Sequence, residues 1–409
     1  MGVKAKRARA YGAVLAIGFG GFFAAAQTGC AGADRSAGTA RASNSHARIA
    51  SATLPRIKVK RPVAPSAYHV PRRALRVASS RQLVAALANG RQETIVLAPG
   101  RYDNRSAFSD RDGDRLYAAR LGAAVFRAGI VLGANEGPPG ASIRGLRFKV
   151  SDPRKTLHGA IVHVWGSAAH ASVLDTSLEG SGTVDAGLVV RQPEGFVARR
   201  VVARSFRSYG ILVDPNQEHY RARAPYVLTD LAVTRVARPV PGSSGGTAEA
   251  CLWLGSSGVV RRVSVRSCGV SGVWTGTANH GSRIEDVAVD RAPVGIYVEH
   301  FTTGTTFRRL SIGPHVRRGV NAEWANRALG GRPASVDNVI EDGFFQTGVV
   351  GVYLDEGTTR TVVRRCKFVA QRWAAIGDYK GVENRYLDND FSGISPAAVA
   401  VSYAHGGPR

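Results

Sequence analysis

The stretch "VGIYVEHFTTGTTFRRLSI", Val294–Ile312, contains one copy of each of two short units that recur along the chain. The first unit is a small residue followed by an apolar alternation, as in "GIYVE". Its other copies are "AIVHV", "GLVVR", "GILVD", "CLWLG", "GVWTG", "GVNAE", "GVYLD", "AAIGD" and "AVAVS". The second unit is an alternating segment whose first apolar residue usually follows a charged one, as Leu310 follows Arg309. Alternation with a period of two is typical of β-strands, so both units predict short strands.

The second unit sets the length of the repeat. Its first apolar or small residue lies at Leu146, Thr176, Val201, Leu231, Val263, Val287, Leu310, Val339, Cys366 and Tyr386. The gaps run from 20 residues (366 to 386) to 32 residues (231 to 263). Such a period, with short strands and Gly turns, is typical of a solenoid. The leucine-rich frame and the 3.6-residue stripe of helical repeats are both absent, so we predict an all-β parallel solenoid with coils of variable length.

A strand, helix and strand precede the repeats in "RVASSRQLVAALANGRQETIVLAPGRYDN", residues 76–104. Ser79 and Gln82 fit a capping box, and Leu83, Val84 and Leu87 would give the helix an apolar face. With this helix and the "TIVLAPGRY" segment, the chain resembles the pectate-lyase-like right-handed parallel β-helix family of exported bacterial proteins. The resemblance implies a single-stranded right-handed parallel β-helix with a short N-terminal capping helix over residues 75–405. It implies no single activity, because this fold carries lyases, hydrolases, epimerases and non-enzymes.

The residues just before the second units form a column of charge. They are Gly145, Asp175, Arg200, Asp230, Arg262, Asp286, Arg309, Asn338, Arg365 and Arg385. From Asp175 to Arg309 the sign alternates at every step. Equivalent positions in a parallel solenoid stack at about 4.8 Å, so alternating signs favour ion pairs between coils. We therefore predict a structural ladder on the solvent side, which includes Arg309.

The first units predict a second column pattern on the outer face. The mid-strand outward positions are Leu212, Trp253, Trp274, Tyr297, Asn321, Tyr353, Gly377 and Ala400. Two residues further on come Asp214, Gly255, Gly276, Glu299, Glu323, Asp355, Tyr379 and Ser402. Flat aromatic faces stack on sugar rings, and carboxylates bind hydroxyl groups or perform acid–base chemistry. The pattern predicts a carbohydrate groove, although outward rings can also simply cover a sheet.

We take Glu299, Glu323 and Asp355 as the candidate catalytic residues. The candidate substrate-binding residues are Trp253, Trp274, Tyr297, Tyr353, Asp214 and His300. Carboxylates on consecutive coils repel one another, so the row would hold either a shared proton or a cation such as Ca²⁺. The sequence contains no recognisable set of metal ligands. The alternative to a bound Ca²⁺ is therefore a protein without a cofactor.

The N-terminus is typical of an export signal over residues 1–29, with basic residues ahead of an apolar stretch. Two cleavage patterns compete. "AAA" at residues 24–26 fits a small-residue site, whereas "QTGC" resembles a lipobox that would make a lipidated Cys30 the first mature residue, with Gln27 where Leu is usual. Residues 30–74 have the composition of a disordered basic linker. We therefore expect a secreted or cell-envelope protein, and attachment to a membrane through Cys30 stays open.

Charge and cysteine content narrow the partners. The formal net charge is +25, which favours attraction to anionic polymers. Because the basic N-terminal segment has no interleaved aromatic residues, we expect a polysaccharide partner and no nucleic acid, and we expect a monomer. Cys366 falls on an inward position and is predicted to be a small core residue. Cys251 and Cys268 are left open as a disulfide, since spacing alone does not decide it.

The sequence therefore predicts an exported β-helix protein that binds a polysaccharide. Whether it also cleaves or modifies that polymer, as a lyase, a glycoside hydrolase or an epimerase, stays open because no complete catalytic constellation is visible. The alternative is a non-catalytic cell-surface module for carbohydrate binding or adhesion.

Overall fold

Short parallel strands make up most of the chain in the computed structural model, which describes residues 68–133, 139–165, 169–191, 193–214, 223–236, 250–276, 279–299, 301–322 and 335–403. The first strand begins at Leu75 and the last ends at Ser402. The expected export signal (residues 1–29), Cys30 and nearly all of the linker (residues 30–74) lie outside the described residues.

The described strands belong to three parallel sheets. The first sheet contains Leu75–Val77, Thr94–Leu97, Gly100–Tyr102, Arg115–Ala118, Ala124–Phe126, Ser142–Arg144, Arg147–Lys149, Ser172–Leu174, Ser177–Glu179, Val197–Arg199, Val202–Phe206, Tyr226–Val236, Gly258–Cys268, Arg283–Asp290, Thr306–Arg308, Ser311–Ile312, Val339–Glu341, Phe344–Phe345, Val362–Arg364, Lys367–Val369, Arg385–Leu387 and Asp390–Gly393. The second contains Phe108–Asp110, Ile130–Leu132, Ala160–Val164, Ala186–Arg191, Tyr209–Asp214, Ala250–Leu254, Ser271–Thr275, Ala292–Val298, Val316–Ala322, Val350–Leu354, Ala374–Asp378 and Val399–Ser402. The third contains Thr302–Thr303, Ser335–Val336 and Thr358–Thr359.

The two sequence units alternate between the two large sheets, as predicted. In each coil the alternating segment that follows a charged residue lies in the first sheet. The segment that begins with a small residue, such as "GIYVE", lies in the second sheet. Successive coils pair in register, so one apolar column continues from Leu188 through Ile211, Leu252, Val273, Ile296 and Val320, all fully buried. The chain is thus a single-stranded right-handed parallel β-helix, and the predicted fold is confirmed.

A short helix, Ser80–Ala86, precedes the second strand. Ser79 accepts a hydrogen bond from the Gln82 backbone (3.3 Å), as predicted for the cap, but the Gln82 side chain accepts from Ala78 N–H (2.8 Å) and not from Ser79 N–H, so the capping box forms only in part. Leu83 and Leu87 are buried, but Val84 is 44% exposed and does not join the apolar face. A 3-10 turn covers Pro153–Lys155. No helix in the described part of the chain is long and apolar enough to cross a membrane.

The cysteines take two roles. Cys251 and Cys268 form a disulfide with their Cα atoms 5.6 Å apart, which joins a second-sheet strand to the first-sheet strand that follows it. Cys366 is free and buried, as predicted, and burial raises the pKa of its thiol to about 12. Cys366 therefore behaves as a small core residue at neutral pH.

The charged column lies at a corner between the two first-sheet strands of each coil. Strand register extends it to nine alternating residues, which we call the corner ladder: Asp175, Arg200, Asp230, Arg262, Asp286, Arg309, Asp342, Arg365 and Asp388. The expected members Asn338 and Arg385 are wrong. Strand register pairs Glu341 with Arg308 and Leu387 with Arg364, which places Asp342 and Asp388 at the corner. All nine residues have φ between 51° and 58°.

Each ladder arginine reaches back to the aspartate of the preceding coil. Arg262 donates to Asp230 at 2.6 and 3.0 Å, and Arg309 donates to Asp286 at 2.6 and 2.9 Å. The Arg309 hydrogen bonds hold the pKa of Asp286 below its usual value. The ladder is less solvent-exposed than predicted, since Asp230 is only 1% exposed beneath its guanidinium. Two-point pairs of this kind fix both distance and direction between coils.

A second column lies inside, at the residue before each first-sheet strand pair. Asn338 and Asn384 accept hydrogen bonds from Thr305 and Thr361 N–H of the preceding coil, both at 2.9 Å. Asp114 holds the same position near the N-terminal end, where its Oδ1 accepts from Glu93 N–H at 2.7 Å. Its Oδ2 is buried without a hydrogen-bond partner. Burial raises the pKa of Asp114 to about 7, so below that pH it is a neutral acid that takes the place of an asparagine.

The burial of the corner ladder predicts which of its pairs matter for stability. Asp230→Ala should lower the free energy of unfolding by about 3 kcal/mol, because it leaves the paired guanidinium without its buried partner. Asp337→Ala is the matched control, since Asp337 also has φ 58° and a two-point arginine pair (2.7 and 2.8 Å), but its side chain is 56% exposed. It should cost about 1 kcal/mol. Urea unfolding measures both, and equal losses would contradict a special role for the buried pair.

The raised pKa of Asp114 predicts a pH dependence of stability. The folded-state pKa lies above the unfolded value, so its favourable contribution is complete below about pH 4 and disappears as the pH rises through about 7. Asp114→Asn keeps the shape and cannot ionise. The variant should exceed the parent in stability at pH 8 by about 4 kcal/mol and match it near pH 4, as measured by urea unfolding at each pH. A constant difference between the two proteins across this range would refute the assignment.

Candidate functional site

The predicted aromatic column lies on the outer face of the second sheet. Strand register places Leu212, Trp253, Trp274, Tyr297, Asn321, Tyr353 and Gly377 side by side in that order. The prediction that Ala400 is the last member of this column is wrong. Val401 pairs with the buried Ile376, so Ser402 takes the outward position beside Gly377.

Three rings of this column present surface to solvent, and we call them the aromatic face: Trp253, Trp274 and Tyr297. All three are half-buried and lie on adjacent strands. The Trp274 and Tyr297 ring centroids are 4.6 Å apart, with the rings tilted by 54°. Adjacent strands lie about 4.8 Å apart, so the three rings span about 10 Å along the solenoid.

Tyr353 differs from the other predicted rings because it is covered. It is 4% exposed, with the Trp373 ring centroid at 6.2 Å and the Arg318 guanidinium 5.5 Å from its own centroid. Its ring has no open face for a sugar in this conformation. Tyr353 therefore packs against its neighbours on the outer face and does not offer a ring for sugar stacking.

Glu299 is joined to the aromatic face. The Trp274 Nε1–H donates to Glu299 Oε2 at 2.9 Å, from one coil to the next. Gly276 makes room for this contact, since a Cβ at that position would lie 2.5 Å from Glu299 Oε2. The carboxylate therefore lies over Gly276 and fixes the indole ring.

The other described carboxylates lie apart from Glu299. Asp214 forms an ion pair with Arg191 on the neighbouring strand, and it is three strands, about 14 Å, from Glu299. Asp355 follows the strand two coils beyond Val298, about 10 Å away, and its Oδ1 accepts a hydrogen bond from Glu356 N–H at 2.8 Å. The structure thus places all three carboxylates in one row at the same edge of the second sheet, with Asp214 and Asp355 on opposite sides of Glu299.

Glu323 and His300 lie outside the described residues, so the middle of the predicted carboxylate row is not described. Among the residues that are described, no group of three or more His, Cys, Asp or Glu side chains is placed to hold a metal ion. The expected Ca²⁺ therefore remains a hypothesis about a row that includes Glu323.

Arg318 is a site residue that the sequence reasoning missed. It lies outward on the strand between Tyr297 and Tyr353, and its Nη1 donates to Asn321 Oδ1 at 3.3 Å. Its column otherwise holds uncharged residues, such as Val294 and Val350 on the neighbouring strands. The "RR" before "GVNAE" is the sequence signal for this residue, but it lies outside a repeat unit that begins at Gly319.

A second missed cluster lies on the same face nearer the N-terminus. His163 pairs with Val189, in line with Leu212, and its ring centroid is 5.0 Å from that of Trp165 and 5.8 Å from that of His158. Burial lowers the pKa of His163 to about 4, so the ring is neutral at pH 7. Both ring nitrogens are buried without a hydrogen-bond partner. The cluster extends the rings of the outer face beyond the predicted column.

Comparison with known proteins identifies the fold alone. No family model and no curated protein matches this sequence. The Agl-KA catalytic domain is similar in structure with a TM-score of 0.51 and 10% identity, over 83% of this chain and 70% of that chain. A PL6 alginate lyase solved with a trisaccharide has a TM-score of 0.50 and 10% identity, over 83% of this chain and 90% of that chain. The chain shares with such proteins the right-handed parallel β-helix fold.

The contact between Trp274 and Glu299 predicts a spectroscopic signature. In an ¹H–¹⁵N spectrum the Trp274 indole N–H should lie downfield, because it donates to a carboxylate. Gly276→Ala should displace Glu299 and move this resonance upfield, as Glu299→Ala should. The indole resonance of Trp373, which lies on a distant coil, is the internal control. An unchanged Trp274 resonance in both variants would contradict the hydrogen bond.

Proposed function

We propose that this protein binds a polysaccharide along the outer face of the second sheet. The observation that carries the proposal is the aromatic face, three half-exposed rings on adjacent coils with Glu299 beside them. Aromatic faces bury the apolar faces of sugar rings, and a neighbouring carboxylate accepts hydrogen bonds from hydroxyl groups. A row that rises by about 4.8 Å per coil suits an extended chain of sugars better than a single small ligand.

We further propose that the carboxylates at the edge of this sheet act on the bound chain. Glu299, Glu323 and Asp355 would supply general acid and base groups, and a Ca²⁺ ion would be the cation that relieves their repulsion. Arg318 lies five residues before Glu323, toward the other end of its strand, and its guanidinium reaches Asn321 and Tyr353 at mid-strand. This cation would stabilise a carboxylate or a developing negative charge on the sugar. Products would distinguish a lyase, a glycoside hydrolase and an epimerase.

A specific observation favours the second candidate, a non-catalytic surface or adhesion module. Glu299 accepts from Trp274 and Asp214 pairs with Arg191, so both carboxylates have structural contacts. In that case these acids shape a binding face and perform no proton transfer. The two candidates share the aromatic face and differ in whether bound polymer changes.

We propose that the protein works outside the cytoplasm as a monomer. The Cys251–Cys268 disulfide supports the location outside the cytoplasm, because disulfides persist in oxidising compartments. The apolar N-terminal stretch supports export, and lipidation at Cys30 would tether the β-helix through the basic linker.

A polysaccharide panel tests the proposal. The mature protein is incubated with neutral and acidic polysaccharides, with and without calcium, and binding is measured by titration calorimetry. The double variant Trp253→Ala/Trp274→Ala should bind the preferred polymer at least about tenfold more weakly, since each buried ring contributes on the order of 1 kcal/mol or more. Tyr117→Ala, which removes a half-buried ring from the first sheet, is the matched control and should bind normally.

The same incubations test catalysis. A hydrolase would release reducing ends, and a lyase would also raise the absorbance of unsaturated products. Glu323→Gln or Asp355→Asn should abolish the change while leaving binding intact. Binding without reducing ends, without unsaturated products and without a change in the ¹H NMR spectrum of the sugars, which would report epimerisation, would assign the non-catalytic module. Equal binding by the parent and the double tryptophan variant would refute the aromatic face as the binding site.

A further inference from the structure

A group of arginines lies in a cleft away from the aromatic face. The cleft measures about 390 Å³ and is lined by Arg204, Thr234, Arg235, Arg266, Ser267 and Arg291, and we call it the basic cleft. Register places its four arginines on four successive coils, since Arg204 pairs with Thr234, Thr234 with Arg266, and Arg266 with Asp290. One guanidinium per coil gives a stripe about 14 Å long parallel to the solenoid axis.

The basic cleft lies at a second corner of each coil, where the chain passes from the first sheet to the second. Its corner residues are Ser205, Arg235, Ser267 and Arg291, all with φ between 56° and 62°. The corner ladder balances each arginine with an aspartate, whereas this corner holds only serines and arginines. The positive charge here is therefore not part of a self-neutralising column.

Nearby carboxylates only partly compensate for the charge. Arg204 donates to Glu179 at 2.7 Å, while Arg266 and Arg291 share Asp290 at 3.6 and 3.8 Å. Arg235 has no carboxylate within ion-pair distance among the described residues. The Nε of Arg204 is buried and has no hydrogen-bond partner. Four guanidinium groups thus face two carboxylates, and the excess positive charge favours an added anion.

The shape and lining of the cleft indicate the class of anion. A stripe that crosses four coils suits a polymer with repeated oxyanion groups better than a compact ion. Its lining includes hydroxyl groups of Thr234 and Ser267 and no aromatic ring. Sites for single-stranded nucleic acid combine cations with rings on which bases stack, so the lining favours sugars.

We propose that the basic cleft is a second, non-catalytic binding site, which takes the charged groups of an acidic polysaccharide. It is separate from the candidate catalytic edge. The strand Ser271–Thr275 begins three residues after Cys268, on the cleft side, while Glu299 lies beside Gly276 at the other end of that strand. Five residues of strand separate the two by about 16 Å. The cleft would hold an acidic polymer of the cell envelope or the surroundings whether or not the aromatic face processes a chain.

Removal of two arginines from the basic cleft tests this proposal. The probes are polygalacturonate and neutral dextran, measured by calorimetry at several salt concentrations. Arg235→Ala/Arg291→Ala should weaken polygalacturonate binding about tenfold or more at low salt and make it less sensitive to salt, because two oxyanion contacts are lost. The control Arg76→Ala/Arg115→Ala removes the same charge from exposed positions on the first coils and should change binding less than twofold.

Three outcomes would contradict the proposal that the basic cleft binds an acidic polysaccharide. Equal weakening by both double variants would mean that only net charge matters, and unchanged binding in the cleft variant would mean that the stripe is not used. Tighter binding of a single-stranded DNA oligonucleotide, lost in the same variant, would assign the cleft to nucleic acid. The aromatic-face variant Trp253→Ala/Trp274→Ala, run in parallel, separates the two sites, since it should leave the salt dependence of polygalacturonate binding intact.

Discussion

The register between successive coils is the constraint on which this molecule depends. Every coil must place the equivalent residue at the same corner before its first-sheet strands can pair with those of the preceding coil. The corner ladder enforces this, because its arginines bind the aspartate of the preceding coil, three of the four at two points. A coil that slipped by one residue would place its apolar residues outward, and a coil that skipped its neighbour would place its ladder charge beside a like charge. The alternation of sign therefore specifies which coil follows which, beyond what each pair adds to stability.

That register also builds the outer face. Once the corners are aligned, mid-strand residues of the second sheet align without any further device, and Trp253, Trp274 and Tyr297 become neighbours although 44 residues separate the first from the last (253 to 297). Insertions between strands change the loops and leave the columns intact. A binding face made in this way is rigid at its floor, which lowers the entropy cost of holding an extended chain. The same logic places the arginines of the basic cleft in a stripe at a different corner.

Much of this could be predicted from the sequence, because strands alternate with a period of two and inward positions are apolar. The fold, the aromatic column through Gly377 and the core position of Cys366 followed from that pattern. The pattern fails where two alignments are equally apolar. Apolar alternation alone aligns Val339 with Leu310, whereas the corner residue that stacks on Arg309 is Asp342. It also gives no side-chain direction. That Glu299 turns back to Trp274, that Tyr353 is covered and that Asp114 replaces an asparagine depend on contacts between coils, which one repeat does not contain.

The central claim is that a polysaccharide lies along the outer face of the second sheet. Hydroxyl-radical footprinting with the preferred polymer, read by mass spectrometry, tests it directly because aromatic side chains react readily when exposed. The account predicts that saturating polymer protects Trp253, Trp274 and Tyr297, while Tyr117 on the first sheet reacts as before. Protection confined to the first sheet, with the three rings still reactive, would contradict it.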